Sequence, residues 1–173
     1  RVAVLTKRTI HDGASNWAQG GIAAVLAEGD SLADHERDTH VAGAGLCDIE
    51  ATRATVAGAP EAIRWLKGLG VPFSTENGEL HLTREGGHSA RRVVHAADAT
   101  GAAVMATLVE RVRAHPGITV LERHTLVDLI LSDKHAGQAG PRRCLGAYAL
   151  DEDGERVQAF TAAHTVLATG GAG

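Results

Sequence analysis

The run His81–Ser89, HLTREGGHS, sets two histidines, an arginine and a glutamate around two adjacent glycines. Side chains that bond or move protons, placed about a Gly-Gly hinge, suit the gripping of a ligand. Arg84, Arg91 and Arg92 offer planar guanidinium forks that match carboxylates two bonds at a time, so a dicarboxylate is a sensible target. Glu85 supplies an acceptor for a cationic group. A solvated loop held by local ion pairs is the other reading of the same residues, and both stay open at this level. His81, His88 and His95 do not follow a common zinc-ligand spacing, so hydrogen-bonded structural imidazoles are expected and no metal site.

A second run, GASNWAQGGIAA (residues 13–24), gathers main-chain amides, a hydroxyl and two carboxamides in one loop. Oriented N–H donors stabilise an anion without burying a countercharge, so the loop suits a phosphate or a polar heteroaromatic ring. Paired glycines also occur as plain turns. A third run, TVLATGGAG (residues 165–173), puts glycines after an apolar segment. It reads either as a strand-ending turn or as a main-chain contact at the carboxyl end of a parallel strand.

These runs need elements to hold them. RVAVLTK at the start has the composition of a strand buried on both faces, and RTIHDGASN after it is rich in turn formers. Ser31 with Asp34 predicts a helix start that carries through residue 46. Asp48 predicts a second N-cap, and Pro60 is expected to divide that run by opening a further helix, PEAIRWLKGL, which Gly68 and Gly70 end. Thr100 is expected to cap a helix whose apolar face is Val104, Met105, Leu108, Val109 and Val112, stopped by Pro116-Gly117. Beyond it ITVLER, TLVDLILS, RCLGAYALD, RVQAFTA and HTVLAT read as short strands, with DEDGE as a hairpin turn and HAGQAGP as a flexible excursion. A strand, helices, a small antiparallel meander and a return strand make an α/β domain with an inserted β-sheet.

Composition narrows the partners. With 173 residues the chain can bury one core of ordinary size. A net charge of -4 argues against a general attraction to nucleic acid or anionic lipid. Cys47 and Cys144 form no CxxC or Cys/His pattern, so two buried, reduced thiols are expected rather than a disulfide or structural zinc. No apolar run approaches the roughly 18 residues that span a bilayer, so no membrane association and a cytoplasmic location are expected. An apolar strand at one end and a glycine turn at the other suggest an excerpt of a longer protein.

Taken together, AVLTK, AQGGIAAV, DTHVAGAGLCD, WLKGLGVPF, HLTREGGHSARRVVHAADATG, VLERHTLVDLILSD and VLATGGAG resemble the L-aspartate oxidase family of flavoproteins. That family is related to the flavoprotein subunits of fumarate reductase and succinate dehydrogenase. The pairing of AQGGIAA with LTREGGHS is the specific part. The resemblance implies a partial Rossmann-like FAD-binding domain with an inserted small antiparallel β-meander. Residues 1–173 would be an incomplete FAD-binding domain, without the first strand and its GxGxxG turn, the substrate-capping domain and the C-terminal helical domain. It implies non-covalent FAD, because the residues before AQGG are Ser15, Asn16 and Trp17, where succinate dehydrogenases carry an attachment histidine.

The implied FAD-holding positions are Lys7, Ala14, Ser15, Asn16, Trp17, Ala18, Gln19, Gly20 and Gly21, the last three beside the flavin and pyrophosphate. Thr125 and Leu126 match a segment that contacts the adenine side through its main chain. Glu85 matches the active-site glutamate that reads the substrate ammonium, and it is the catalytic-site candidate. The implied reaction is oxidation of L-aspartate to iminosuccinate, with oxygen or fumarate as electron acceptor. Quinolinate synthase would be the downstream enzyme in NAD biosynthesis. Two other readings remain: a flavoprotein that reduces fumarate or oxidises succinate, and a non-catalytic fragment that does not bind FAD alone.

Overall fold

The computed structural model describes residues 1–135 and 141–170. In chain order, β1 (Val2–Leu5), a short 3-10 helix (Ala14–Trp17) and β2 (Ile22–Ala23) precede α1 (Leu32–Gly43) and α2 (Ile49–Leu69). Four two-residue strands follow: β3 (Thr75–Glu76), β4 (Glu79–Leu80), β5 (Leu82–Thr83) and β6 (Val93–Val94). Then come α3 (Thr100–Ala114), β7 (Ile118–Leu121), β8 (His124–Leu131), α4 (Ser132–His135), β9 (Cys144–Asp151) and β10 (Arg156–Thr161). The chain forms two compact units, residues 15–111 and, from both flanks, residues 1–14 with 112–173.

In the flanking unit β1 pairs in parallel with β7, from Val2↔Ile118 to Leu5↔Leu121. The expected meander is present as an antiparallel sheet in the order β10-β9-β8, with Asp151 opposite Arg156 across the DEDGE hairpin. Gly154 N–H donates to the Asp151 side chain at 3.0 Å, closing that turn. β1 departs from expectation: Val2 is 56% exposed, because a two-stranded sheet lacks the layers that cover both faces of a larger parallel sheet. HTVLAT forms no strand, and Val166 is 86% exposed. A strand needs a ladder partner for its main chain, and among the described residues this segment has none. The HAGQAGP excursion, apart from its end residues, and Gly171–Gly173 lie outside the described residues.

The central unit is built on α1 and α2. Ser31 caps α1 by accepting the Asp34 N–H at 3.0 Å, and Asp48 caps α2 by accepting the Ala51 N–H at 2.8 Å, both as the sequence predicts. Pro60 does not divide α2, which runs unbroken through it. Val56, Ile63 and Leu66 recur on one buried face either side of the proline, and this packing offsets the missing Pro60 N–H. Gly70 ends the helix at φ 103°. Thr100 is buried within α3 instead of preceding it, and its hydroxyl accepts the Ala96 N–H at 3.1 Å. The core joins Ala24, Ile63, Leu66, Val71, Phe73 and Val94, with Val104 and Leu108 of α3 packed against it. Cys47 and Cys144 are free, as expected, but only half-buried.

Candidate functional site

The HLTREGGHS run is the connection between β5 and β6, which pair antiparallel with Leu82 opposite Val94 and Thr83 opposite Val93. Arg92 N–H extends that ladder by donating to the Thr83 carbonyl at 3.1 Å. Inside the loop, His88 N–H donates to the Glu85 carbonyl at 3.2 Å, making a four-residue turn. Gly87 stands third in it at φ 86°, the position where a type II turn demands a positive φ. Glu85 is exposed at the head of the turn, and its carboxylate has no protein partner among the described residues.

Arg92 does not serve a ligand. It is fully buried and forks onto Asp30, Nε to Oδ2 at 2.9 Å and Nη2 to Oδ1 at 2.7 Å. Nη1 donates to Asp38 Oδ2 at 2.6 Å and to His88 Nδ1 at 3.3 Å, and Nη2 also reaches Ser89 Oγ at 3.4 Å. Bonding to Asp30 foremost raises the guanidinium pKa further above its already high value. The hydroxyl and N–H of Ser89 both donate to Asp38 Oδ2 at 2.7 Å; with Arg92 they hold the Asp38 carboxyl well below the usual range. Asp30 is lowered chiefly by its bond to Arg92. His35, buried beside the His88 ring at 5.6 Å between centroids, has its pKa lowered by desolvation first and then by Arg92 and His88, which favours the neutral ring. Its Nδ1 has no hydrogen-bond partner among the described residues.

The remaining candidates of this region divide in the same manner. Arg91 is exposed and donates Nε–H to the Leu82 carbonyl at 2.9 Å, while Arg84 is exposed. His81 Nδ1 and His95 Nε2 hydrogen-bond at 2.9 Å, the structural use expected of these imidazoles. Asp30, Asp38 and His35 were not singled out by sequence, because the first two meet Arg92 across 62 and 54 residues of chain and nothing local marks the partnership.

The AQGG loop sits on the start of α3. Ser15 carbonyl accepts the Ala18 N–H at 3.2 Å, and Ala18 carbonyl accepts the Gly101 N–H at 3.0 Å. A Cβ on Gly101 would run into the Ser15 and Ala18 carbonyls, so only glycine lets the loop approach this closely. The two adjacent glycines differ. A Cβ on Gly21 would strike Val93 and the Val94 carbonyl, whereas Gly20 has open space around it. Gln19 and Gly20 are exposed, and their main-chain N–H groups have no hydrogen-bond partner among the described residues. With the Ser15 hydroxyl, the half-buried Asn16 and Trp17, 76% exposed, they make a donor-rich surface that fits a flavin edge or a pyrophosphate.

In the flanking unit, Lys7 lies just past β1, where a hollow of about 310 Å³ is lined by Lys7, Arg8, Thr9, Asp12, Arg123 and Glu152. The His124 N–H donates to the Thr6 carbonyl at 2.9 Å, fixing β8 beside this segment. Thr125 hydroxyl donates to Glu152 Oε1 at 2.7 Å, so Thr125 and Lys7 share one wall residue. Ladder register shifts between Leu126 and Asp128, a bulge that leaves Leu126 and Val127 exposed. A polar hollow with cationic and anionic walls at the carboxyl end of a parallel strand fits a nucleotide. Lys7, Ala14, Thr125 and Leu126 thus fall in the flanking unit, and Ser15–Gly21 and Glu85 in the central one.

Comparison with known proteins places the chain as a whole. The chain matches L-aspartate oxidase 1 of Ralstonia nicotianae at 57% identity over 100% of its own length and 33% of the relative's. L-aspartate oxidase of Yersinia pestis is 51% identical over 99% of the chain and 33% of its own length. The chain therefore spans about a third of the length of these relatives. Among solved structures, Sdh1 of Mycobacterium smegmatis in complex with UQ1 superposes with a TM-score of 0.79 at 26% identity, over 94% of this chain and 28% of that one. Quinol fumarate reductase of E. coli gives 0.76 at 28% identity, over 86% and 24%. The fold is accordingly the α/β fold of flavoproteins with its antiparallel insertion. The FAD binding domain family matches residues 1–173, every residue of the sequence, and the chain belongs to that family.

Proposed function

We propose that the chain is the flavin-binding and ammonium-reading part of an L-aspartate oxidase, an FAD-dependent oxidoreductase that turns L-aspartate into iminosuccinate for quinolinate and NAD synthesis. The observation that carries this is Glu85: an exposed carboxylate without a partner among the described residues, at the head of a turn whose neighbours are tied down. Such a group favours a substrate that brings an ammonium and opposes one that brings another carboxylate. FAD, when bound, supplies the two-electron acceptor for the hydride leaving the substrate Cα, and the amino group gives up a proton as the imine forms.

The chain's own residues bind and orient. Ser15–Gly21 offer N–H, hydroxyl and carboxamide donors toward the flavin and pyrophosphate, and Ala14 begins the 3-10 turn that shapes them. Lys7, Thr125 and Leu126 take the adenine side, with the bulge after Leu126 exposing main chain there. Glu85 orients the substrate ammonium. Oxygen or fumarate would take the electrons onward, quinolinate synthase would consume the imine, and the location would be cytoplasmic. Among the described residues no helix is long and apolar enough to cross a membrane.

The test is Glu85→Gln in the full-length holoenzyme. Removing one charge-assisted bond worth about 1.5–3 kcal/mol lowers kcat/KM for aspartate roughly 10- to 100-fold, with a smaller effect on fumarate. A larger loss with fumarate than with aspartate would sink the assignment. A fumarate-reducing or succinate-oxidising flavoprotein is the second reading, favoured by the structural likeness to quinol fumarate reductase.

A further inference from the structure

Glycines at 86 and 87 give the Glu85 turn more backbone freedom than any other pair of residues would. Its closing hydrogen bond, at 3.2 Å, is not short. A carboxylate meant to discriminate an ammonium from its absence has to be held within a fraction of an ångström. The β5–β6 ladder fixes one side of the loop through Arg92 N–H and the Thr83 carbonyl. Side chains outside the loop fix the other.

Every N–H of the Arg92 guanidinium has an acceptor, which accounts for all five of its donors. Three go to Asp30 and Asp38, on or just before α1, and two to His88 and Ser89 of the loop. Asp38 Oδ2 in turn receives the Ser89 N–H, the Ser89 hydroxyl and Arg92 Nη1. Arg92 and Asp38 thus meet both residues that follow Gly87. A buried ion pair is weak evidence for stability, since apolar residues of equal volume would serve as well or better. Apolar residues could not hold the Ser89 N–H or the His88 ring in a set direction.

We propose that Arg92, Asp30 and Asp38 are positioning residues for Glu85: they clamp His88 and Ser89 to α1, and so fix the turn that selects an amino dicarboxylate over a dicarboxylate lacking ammonium. This rests on Glu85 as the ammonium acceptor. In the FAD-loaded full-length enzyme, Asp38→Asn keeps the shape but weakens the clamp. It is expected to raise KM for aspartate about tenfold, with kcat and KM for fumarate changed less than threefold. Ser89→Ala keeps the main-chain bond to Asp38 and gives a smaller shift of the same kind, and it carries the test if Asp38→Asn does not fold. Hydrogen exchange across residues 84–92 of the same protein without substrate, independent of turnover, is expected to quicken in both variants.

Faster exchange without an aspartate-over-fumarate split would overturn the proposal and leave a structural ion pair. Unchanged exchange and unchanged KM would overturn it as well. Glu85→Gln measured alongside separates the two levels: a split there but not in Asp38→Asn rejects the clamp alone. No split in either rejects the ammonium reading and the clamp with it.

Discussion

Arg92 sets the stakes at the scale of single residues. Replacing it with methionine would leave Asp30 and Asp38 largely buried and facing one another without the cation between them. Breaking a buried pair in this way costs roughly 3–5 kcal/mol, which chemical denaturation of Arg92→Met would register as a lower midpoint. The same carboxylates give a pH dependence. Both are held below their ordinary values in the folded protein, Asp38 by Ser89 first and Asp30 by Arg92 first. Their contribution is therefore complete above the unfolded carboxylate pKa of about 3.9 and is lost as pH falls through the lowered folded values. Thermal melts between pH 5 and pH 2 are expected to show this acid loss, and Asp38→Asn to flatten it. Gly87→Ala adds strain at a positive φ, although its Cβ would find only Ala42 at an ordinary 3.7 Å.

Between elements, the FAD site proposed above depends on the seat of the AQGG loop on α3. Gly101→Ala would drive a methyl group into the Ser15 and Ala18 carbonyls and push the Ser15–Gly21 run off the helix. The expected result is FAD affinity weakened at least tenfold in the full-length protein, read by quenching of flavin fluorescence. Unaltered affinity would detach this loop from the cofactor. How far the elements could be read from sequence depended on how local their causes are. Ser31 and Asp48 act on amides three residues away, so the helix starts were legible. Pro60 was misread because the force that keeps α2 whole comes from the core around Ile63. HTVLAT was misread because a strand's composition does not supply its partner. Within the candidate site, Glu85 and Gly20 stand out in the motifs, but the burial of Arg92 between Asp30 and Asp38 depends on residues distant in the chain.

On the scale of the molecule, apolar surface is left uncovered at Val2 of the parallel β1–β7 pair and, outside any strand, at Val166 and Leu167, all more than half exposed. Sheet edges and apolar side chains of this kind pair with other copies. These 173 residues in isolation are expected to self-associate at micromolar concentration in sedimentation velocity. A monodisperse monomer that melts in one cooperative step would contradict this.

The pairing of Val2 with Ile118 also dictates an order of events in time. The residues between them number more than a hundred, and closing a flexible loop of that length costs several kcal/mol in entropy before the first ladder bond forms. Residues 15–111 collapse on their own core, so their folding shortens the span that β1 and β7 must bridge. In refolding experiments the central unit should therefore gain protection first, with the parallel ladder following as a slower phase. A core substitution such as Ile63→Ala would then delay a strand pairing in which Ile63 takes no part.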